Sequence, residues 1–147
     1  MKLRFMLLIA AALSVTTVFA QKEEKESNAQ VTPPAAVKTA FAKKFPGITA
    51  KWEEENGKFE ANFKQQGHEM SALFDNSGTM EESEMEIKTG ELPSAVITYI
   101  SQHYKGAAIK EAAKITKASG EVNYEAEVKG KDLIFDASGK FLKEAED

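Results

Sequence analysis

The sequence predicts an α+β fold in which two tandem α-β-β-β-(β) units form one antiparallel sheet, with both helices packed on one face. Two observations carry this prediction. Short sequence blocks recur in the same order in the two halves of the chain, and each half has one apolar stripe at helical spacing followed by segments in which apolar and charged residues alternate. The first pattern is typical of a duplicated unit, and the second of a helix packed on half-buried strands.

Three blocks recur along the two halves. They are a proline-led apolar segment, an aromatic strand segment and a turn of the form F-D-x-S-G, at residues 34–37 and 93–96, 59–63 and 124–128, and 74–78 and 135–139. Repetition of a whole series of blocks indicates a duplicated structural unit. We therefore predict two copies of one unit, over residues 31–89 and 90–147.

Each unit is predicted to begin with a helix. Apolar or aromatic residues recur every four positions after the leading prolines, as Val37, Phe41 and Phe45 in the first unit and as Val96, Ile100 and Tyr104 in the second. This spacing places them on one helix face, which can then pack against a sheet.

Strands are predicted after each helix, beginning in the first unit with a strand at residues 51–53. Apolar residues alternate with charged ones over residues 58–64 and 122–129, as expected of antiparallel strands with one wet face. Glu60 is therefore expected to face solvent. Third strands are predicted at about 69–75 and 131–136, and short fourth strands near 84–87 and 141–142.

The first thirty residues have the composition of a targeting segment and a leader. Residues 1–20 contain a short basic stretch, nine apolar residues and Val18-Phe19-Ala20, which is the layout of a secretory signal peptide. Spanning a membrane would take about 20 apolar residues. Residues 21–30 are charged and polar, so we predict a flexible leader. The sequence thus predicts a periplasmic or secreted protein, with no membrane insertion after signal cleavage.

Composition narrows the classes of function. The 147 residues include 19 Lys plus Arg against 23 Asp plus Glu, and this net charge of −4 argues against nucleic-acid binding. Zero cysteines exclude a disulfide, a thiolate zinc site and a cysteine nucleophile. The two histidines lack ligand spacing, and no serine lies in a G-x-S-x-G elbow. We predict a protein that is not an enzyme and that uses no cofactor or metal.

The two F-D-x-S-G motifs have a calcium-loop interpretation and a turn interpretation. A calcium loop needs six to eight oxygen ligands, yet Asn76 of the first motif is replaced by Ala137 in the second, and no acidic residue occupies positions 79–80. We expect Asp75 and Asp136 to begin tight turns that have glycine in the left-handed region.

The densest acidic patch supplies candidate protein contacts. Glu82, Glu84 and Glu86 alternate along one predicted strand and therefore share a face. Such a face could dock a basic patch of another protein or weakly hold cations. The alternative interpretation is a solvated strand at or near the edge of the sheet, where charges prevent unwanted strand pairing.

Trp52 is a further candidate contact, together with its neighbours Lys51 and Glu53. Its position corresponds to Glu111 in the second unit, and a position that accepts glutamate is not expected to lie deep in the core. Tryptophan is enriched among interface hot spots. The sequence leaves two interpretations open, a ring that covers the core or a ring exposed for contact.

These blocks resemble the secreted PepSY-like family of Bacteroidetes-type bacteria, whose members are described as β-lactamase-inhibitor-like. The resemblance rests on the helix at residues 34–47, on Gly57-Lys58-Phe59-Glu60-Ala61, on the turn at residues 73–78, and on the second copy over residues 91–140. It covers essentially the whole chain after the signal peptide. It implies an inhibitory or protein-binding role outside the cytoplasm, and it supplies no catalytic or ligand residues.

The function predicted from the sequence is that of a secreted, non-enzymatic module that binds an unidentified envelope or extracellular protein, in an inhibitor-like manner. The alternative is a module that binds a small molecule or a cation in a pocket between the two repeats. A flat polar sheet face that bears an exposed aromatic residue would favour the first function, and a concave apolar pocket lined by a few convergent polar groups would favour the second.

Overall fold

A computed structural model describes residues 31–146, so the predicted signal peptide and leader lie outside the described residues. The described chain forms two helices, one short 3-10 helix at Thr89–Glu91 and eight strands. In chain order the helices and strands are α1 Ala35–Lys44, β1 Lys51–Glu55, β2 Lys58–Gln65, β3 His68–Phe74, β4 Met80–Ile87, α2 Ser94–His103, β5 Ile109–Lys117, β6 Val122–Val128, β7 Lys131–Asp136 and β8 Phe141–Glu146.

The eight strands form a single open sheet in the order β1-β2-β3-β4-β5-β6-β7-β8. Every neighbouring pair is antiparallel. The predicted α+β fold is therefore confirmed, with one helix and four strands in each half. That the halves are copies of one unit stays a prediction of the sequence.

Both helices cover the same face of this sheet. From α1, Val37 and Phe41 pack against residues of β2 and β3, among them Phe63 and Phe74. From α2, Val96 and Ile100 pack against residues of β5, β6 and β7, namely Ala112, Ala126, Val128, Leu133 and Phe135. The two groups of core residues lie on the same face of the sheet. Ala72 of the first group lies opposite Ser83, and Ser83 lies opposite Thr116, which shares a face of β5 with Ala112 of the second group. The predicted helical stripes are thus the residues that bury the core.

Each helix is held on the sheet by a turn that begins with aspartate. Asp75 Oδ1 accepts hydrogen bonds from the backbone N–H groups of Ser77 and Thr79, both at 2.8 Å. Gly78 has φ +88°, and a Cβ atom there would lie 2.7 Å from the carbonyl oxygen of Ala36 in α1. Glycine is therefore required both by the backbone conformation and by the close approach of the helix. The turn at Asp136 repeats this arrangement against α2.

The fourth strands are longer than the sequence predicts, and β4 lies in the centre of the sheet. β4 pairs with β3 on one side and with β5 on the other, where six residue pairs run from Glu82↔Lys117 to Ile87↔Ala112. The interpretation of this acidic strand as a sheet edge is therefore wrong. Pairing across the two halves places it in the middle, and the true edges are β1 and β8.

Candidate functional site

The face of the sheet opposite the helices, called the open face below, carries most of the polar side chains that the sheet buries. Side chains alternate between the two faces of a strand, so the residues next to each core position point to the open face. Its central members are Glu60 and Asn62 on β2, Ser71 and Leu73 on β3, Glu82, Glu84 and Glu86 on β4, Ala113 and Ile115 on β5, Asn123 and Glu125 on β6, Asp132 and Ile134 on β7, and Lys143 on β8.

The centre of the open face is buried although neither α1 nor α2 packs on it. The exposed fractions are 0% for Ser71, 3% for Asn123, 4% for Glu84 and 5% for Leu73. The side chains at the centre of the open face are therefore closed to solvent.

The charges that act on Glu82 indicate that the sheet is curved toward the open face. Burial raises the pKa of Glu82, while the positive charges of Lys117 and, more weakly, of Lys143 lower it. Lys143 lies on β8, four strands from β4, which in a flat sheet would separate the two backbones by about 19 Å. An electrostatic effect over four strands fits a sheet whose far strands approach one another on the concave side.

Glu84 occupies the centre of this concavity. Burial raises the pKa of Glu84 well above its ordinary value, and the carboxylates of Glu125, Glu60, Glu82 and Asp132 raise it further. Burial removes the water that would stabilise the charged form, and like charges disfavour it again. Glu84 therefore holds its proton far into the pH range in which an exposed glutamate is ionised.

Two buried oxygen atoms beside Glu84 are left without a hydrogen bond. Ser71 lies directly opposite Glu84 in the register, and Asn123 lies one strand beyond Ile115, the other partner of Glu84. Ser71 Oγ and Asn123 Oδ1 have no hydrogen-bond partner within the described part of the chain. The Asn123 side chain does bond to Glu121, so its oxygen is the unused atom. An unsatisfied buried polar group costs about 1–3 kcal/mol.

We call this arrangement the acidic basin. It consists of the side chains of Glu60, Glu82, Glu84, Glu125 and Asp132 with the two unused oxygens of Ser71 and Asn123. Further carboxylates border it, since burial, and then the charges of Glu127 and Glu86, raise the pKa of Glu111. The basin thus gathers five carboxyl groups and two oxygen atoms without a hydrogen bond in one buried patch.

The structure brings together only part of the predicted contact set. Glu82, Glu84 and Glu86 share the open face, as predicted. Lys51 and Glu53 lie at its β1 border, exposed, opposite Asn62 and Glu60 respectively.

Trp52 points to the other face of the sheet. Its ring packs edge-on against Phe41 of α1 at a centroid distance of 5.3 Å and lies 6.1 Å from the ring of Phe74. It is half-buried. The ring of Trp52 therefore covers the core, which is one of the two interpretations that the sequence leaves open. Any contact of Trp52 with another protein would lie on the helix side of the sheet, away from the acidic basin.

Sequence reasoning missed five basin residues, namely the carboxylates Glu60, Glu125 and Asp132 and the polar residues Ser71 and Asn123. Glu60 was expected in solvent, yet it is 9% exposed. The alternation of each strand does place these residues opposite the core face. What alternation does not give is the curvature of the sheet, because that depends on how eight strands pack together.

A shallow groove of about 610 Å³ lies beside α2 and is lined by residues that include Tyr99, Gln102, Lys140 and Phe141. It belongs to the second half of the chain, whereas the sequence-based alternative places a pocket between the halves. Among the described residues, no group of three or more His, Cys, Asp or Glu side chains is arranged to hold a metal ion. Within the same part of the chain, no helix is long and apolar enough to cross a membrane.

Fold and site together define a small α+β protein with a helix-backed, concave antiparallel sheet. The family model described as "Putative beta-lactamase-inhibitor-like, PepSY-like" matches residues 57–143. The match covers more than half of the 147 residues. The chain therefore belongs to this PepSY-like family, as the resemblance in sequence predicts.

Solved structures of low sequence identity share the fold. A BLIP-like protein from Bacteroides fragilis is 26% identical, with a TM-score of 0.61 over 78% of this chain and 86% of that one. A DUF2874 family protein from Bacteroides uniformis is 18% identical, with a TM-score of 0.70 over 77% and 88%. One of the "putative periplasmic proteins" from Bacteroides eggerthii is 15% identical, with a TM-score of 0.71 over 78% and 88%. No curated protein matches the chain.

Proposed function

We propose that the chain is a non-enzymatic binding module of the periplasm or extracellular space, which docks another protein on its open face. The observation that carries this proposal is the floor of buried polar groups that no element of the described chain covers. A folded protein rarely buries several carboxylates in one patch. A concave surface lined with such groups is complementary to a convex, basic segment of a second protein.

Two separate observations support the proposed location in the periplasm or extracellular space. The predicted signal peptide at residues 1–20 directs the chain across a membrane, and a protein of similar fold from Bacteroides eggerthii is described as a putative periplasmic protein. The absence of cysteine means that packing alone must hold the fold in either compartment.

An inhibitor-like mode of action is the finer part of the proposal. It is supported by the family description and by the fold shared with a BLIP-like protein. A chain that docks over the convex rim of an enzyme's active site would block substrate entry without any chemistry of its own. β-Lactamase is the first enzyme to assay, by its hydrolysis rate with increasing amounts of the purified chain.

Site-specific photo-crosslinking in the native envelope tests the docking face. A photoreactive amino acid at Glu86 or Lys117, both on the open face, is expected to crosslink one discrete protein. The same group at Lys38, exposed on α1, serves as the control and should not crosslink that protein. The purified crosslinked protein should then bind the wild-type chain and lose affinity for Glu82→Lys. Crosslinking from Lys38 alone would overturn the proposal.

A further inference from the structure

The groove beside α2 lies on the helix side of the sheet, away from the open face. It has a volume of about 610 Å³ and is formed by one side of α2 and by the turn that leads into β8. Its lining includes Ala95, Thr98 and Tyr99 of α2, with Gly139 and Phe141. The groove is a separate place for a ligand, because the docking proposed above uses the opposite face of the sheet.

An aromatic stack forms the apolar wall of the groove. Tyr99 stacks on His103 at a centroid distance of 4.1 Å and on Phe141 at 4.9 Å. Because His103 covers one face of Tyr99, Phe141 lies on the other. The ring of Phe135 is nearly perpendicular to Tyr99 and Phe141, at 5.5 and 5.7 Å, and so lies against their edges. Phe141 is therefore the end of the stack that lines the groove, and no aromatic ring of the described residues covers its outer face.

A row of polar side chains runs along the same groove. Ser94, Thr98 and Gln102 are spaced four residues apart on α2, line the groove and are exposed. An α-helix rises about 1.5 Å per residue, so the row extends over about 12 Å. Lys140, which is also exposed, lines the groove from the turn before β8. Its charge also acts on Asp136, whose carboxylate is held by the turn.

The first half of the chain shows that the fold does not require the two rings that line the groove. In the alignment of the recurring blocks, Tyr99 corresponds to Ala40, and Phe141 corresponds to Met80. The strand register agrees, because Met80 and Phe141 each lie opposite the last core phenylalanine of the preceding strand. Ala40 and Met80 both pack against the first core. The second half therefore carries aromatic surface beyond what this framework needs.

The polar row favours a ligand whose groups both donate and accept hydrogen bonds. Hydroxyl and carboxamide groups do both, and Ser94, Thr98 and Gln102 supply only such groups. An anion would use their donors alone, and a cation their acceptors alone. The hydroxyl groups of a ligand would use both.

The ring wall requires the same ligand to have an apolar side. The face of an aromatic ring carries partial negative charge, which attracts C–H groups that are polarised by nearby oxygen atoms. A pyranose sugar combines both requirements, since its hydroxyl groups surround a ring whose faces present C–H groups. Pockets that combine aromatic rings with a few polar groups are typical small-molecule sites.

We propose that the groove binds an oligosaccharide, with one sugar ring stacked on Phe141 and the sugar hydroxyl groups bonded to Ser94, Thr98 and Gln102. The polar row is longer than one sugar ring, so more than one sugar of the bound chain contacts α2. Lys140 donates to a sugar oxygen at the opposite wall. The site does not depend on docking at the open face, and either function can be present without the other.

An NMR titration of the chain with defined tetrasaccharides tests the inference. The probes are cellotetraose, maltotetraose, chitotetraose and the acidic tetragalacturonate, each at up to about 10 mM, which nearly saturates a site with a Kd of about 1 mM. At least one of them should shift the amide signals of Thr98, Tyr99 and Phe141 saturably. Saturation transfer from the aromatic protons of the protein should then reach the C–H protons of that sugar. No saturable shift at these residues with any of the sugars would overturn the inference, as would the same shifts with a hexaproline peptide alone.

Matched variants show whether the bound sugar lies in the groove. Phe141→Met introduces the residue found at the corresponding position of the first half, so the chain should stay folded and bind the sugar at least tenfold more weakly. Thr98→Ala should weaken binding about threefold, and it covers the case in which Phe141→Met does not fold. Thr39→Ala is the control, because Thr39 is exposed at the corresponding position of α1, and it should leave the affinity unchanged. Unchanged affinity in a folded Phe141→Met, or equal losses in Thr98→Ala and Thr39→Ala, would contradict the site.

Discussion

Glu84 shows at the scale of one residue how its surroundings change its chemistry. It lies in an acidic strand, yet it is 4% exposed, and burial followed by nearby carboxylates raises its pKa well above the ordinary value. Because the folded state binds this proton more tightly than the unfolded state, the contribution of Glu84 to stability is most favourable below its unfolded pKa. That contribution is lost as the pH rises toward its folded pKa.

Glu84→Gln should therefore change how stability depends on pH. Glutamine resembles the protonated acid, so the variant and wild type should be alike near pH 4. Above that, the variant should gain relative stability by up to about 1.4 kcal/mol for each pH unit until the folded pKa is passed. Urea denaturation at a series of pH values measures the difference. Glu54→Gln is the exposed control, and a flat difference for Glu84→Gln would contradict the expected titration.

Tyr104 offers a second residue-scale measurement. Its hydroxyl donates a hydrogen bond to Glu144, and this bond, with burial as a smaller cause, raises the pKa of Tyr104 to about 12. Glu144 also pairs with Lys131. In an ultraviolet pH titration, one of the three tyrosines should ionise near that value. Glu144→Gln should move this step toward pH 10, the value of an unperturbed tyrosine, and no change would show that the bond is absent in solution.

Trp52 is expected to contribute to the free energy of unfolding, because its ring packs on Phe41 and Phe74. Trp52→Ala is expected to lower the free energy of unfolding by about 1–3 kcal/mol, less than for a fully buried aromatic because the residue is only half-buried. Denaturant midpoints measure this loss. Trp52→Phe should recover part of it, and a cost near zero for Trp52→Ala would mean that the ring does not cover the core.

At the scale of elements, the turns determine where the helices sit. Gly78 combines a positive φ with a backbone carbonyl of α1 at 2.7 Å from any added Cβ, whereas Gly67 has φ +86° with nothing within 4 Å. Gly67→Ala should thus show only the backbone strain, about 1–2 kcal/mol. Gly78→Ala should show that strain plus the cost of moving α1.

The difference between these two variants isolates the contact of the turn with the helix. We expect Gly78→Ala to be the more destabilising by at least about 1 kcal/mol, as measured by thermal or denaturant unfolding. Gly139→Ala should behave like Gly78→Ala, since its Cβ would lie 2.7 Å from that of Ala95. Equal costs for Gly67→Ala and Gly78→Ala would contradict a turn that fixes the helix.

At the scale of the whole molecule, the two helix-covered cores belong to one sheet. Phe41 lies in the first core and Ile100 in the second, at 5% and 2% exposure, and β4 pairs with β5 between them. Replacing either with alanine should cost about 2–5 kcal/mol, and each variant should unfold in a single transition that fluorescence and circular dichroism report together. Two separate transitions would show that the halves fold independently.

Most of the fold could be predicted from the sequence because its signals are local. The helical stripe through Phe41, the alternation of Phe59, Ala61 and Phe63, and the Asp75 turn each depend on a few neighbouring residues. The central place of β4 could not be predicted in this way, because it depends on pairing across the two halves.

The candidate site could be predicted only in part for a related reason. Parity along one strand predicted that Glu82, Glu84 and Glu86 share a face. The burial of Glu84 and Glu60 depends on contacts between residues far apart in the chain, and no short segment of the sequence carries that information. The same holds for Trp52, whose two interpretations are separated only by the position of α1.

The order of the strands has a consequence for how fast the chain can fold. Each strand pairs only with its neighbours along the chain, and the longest connection between paired strands is the one that contains α2. Folding rates fall as contacts become more distant in sequence, since long loops must close before such contacts form. A sheet of eight strands with no distant pairing should therefore assemble quickly for its size, which shortens the time that its unpaired strand edges stay open to aggregation.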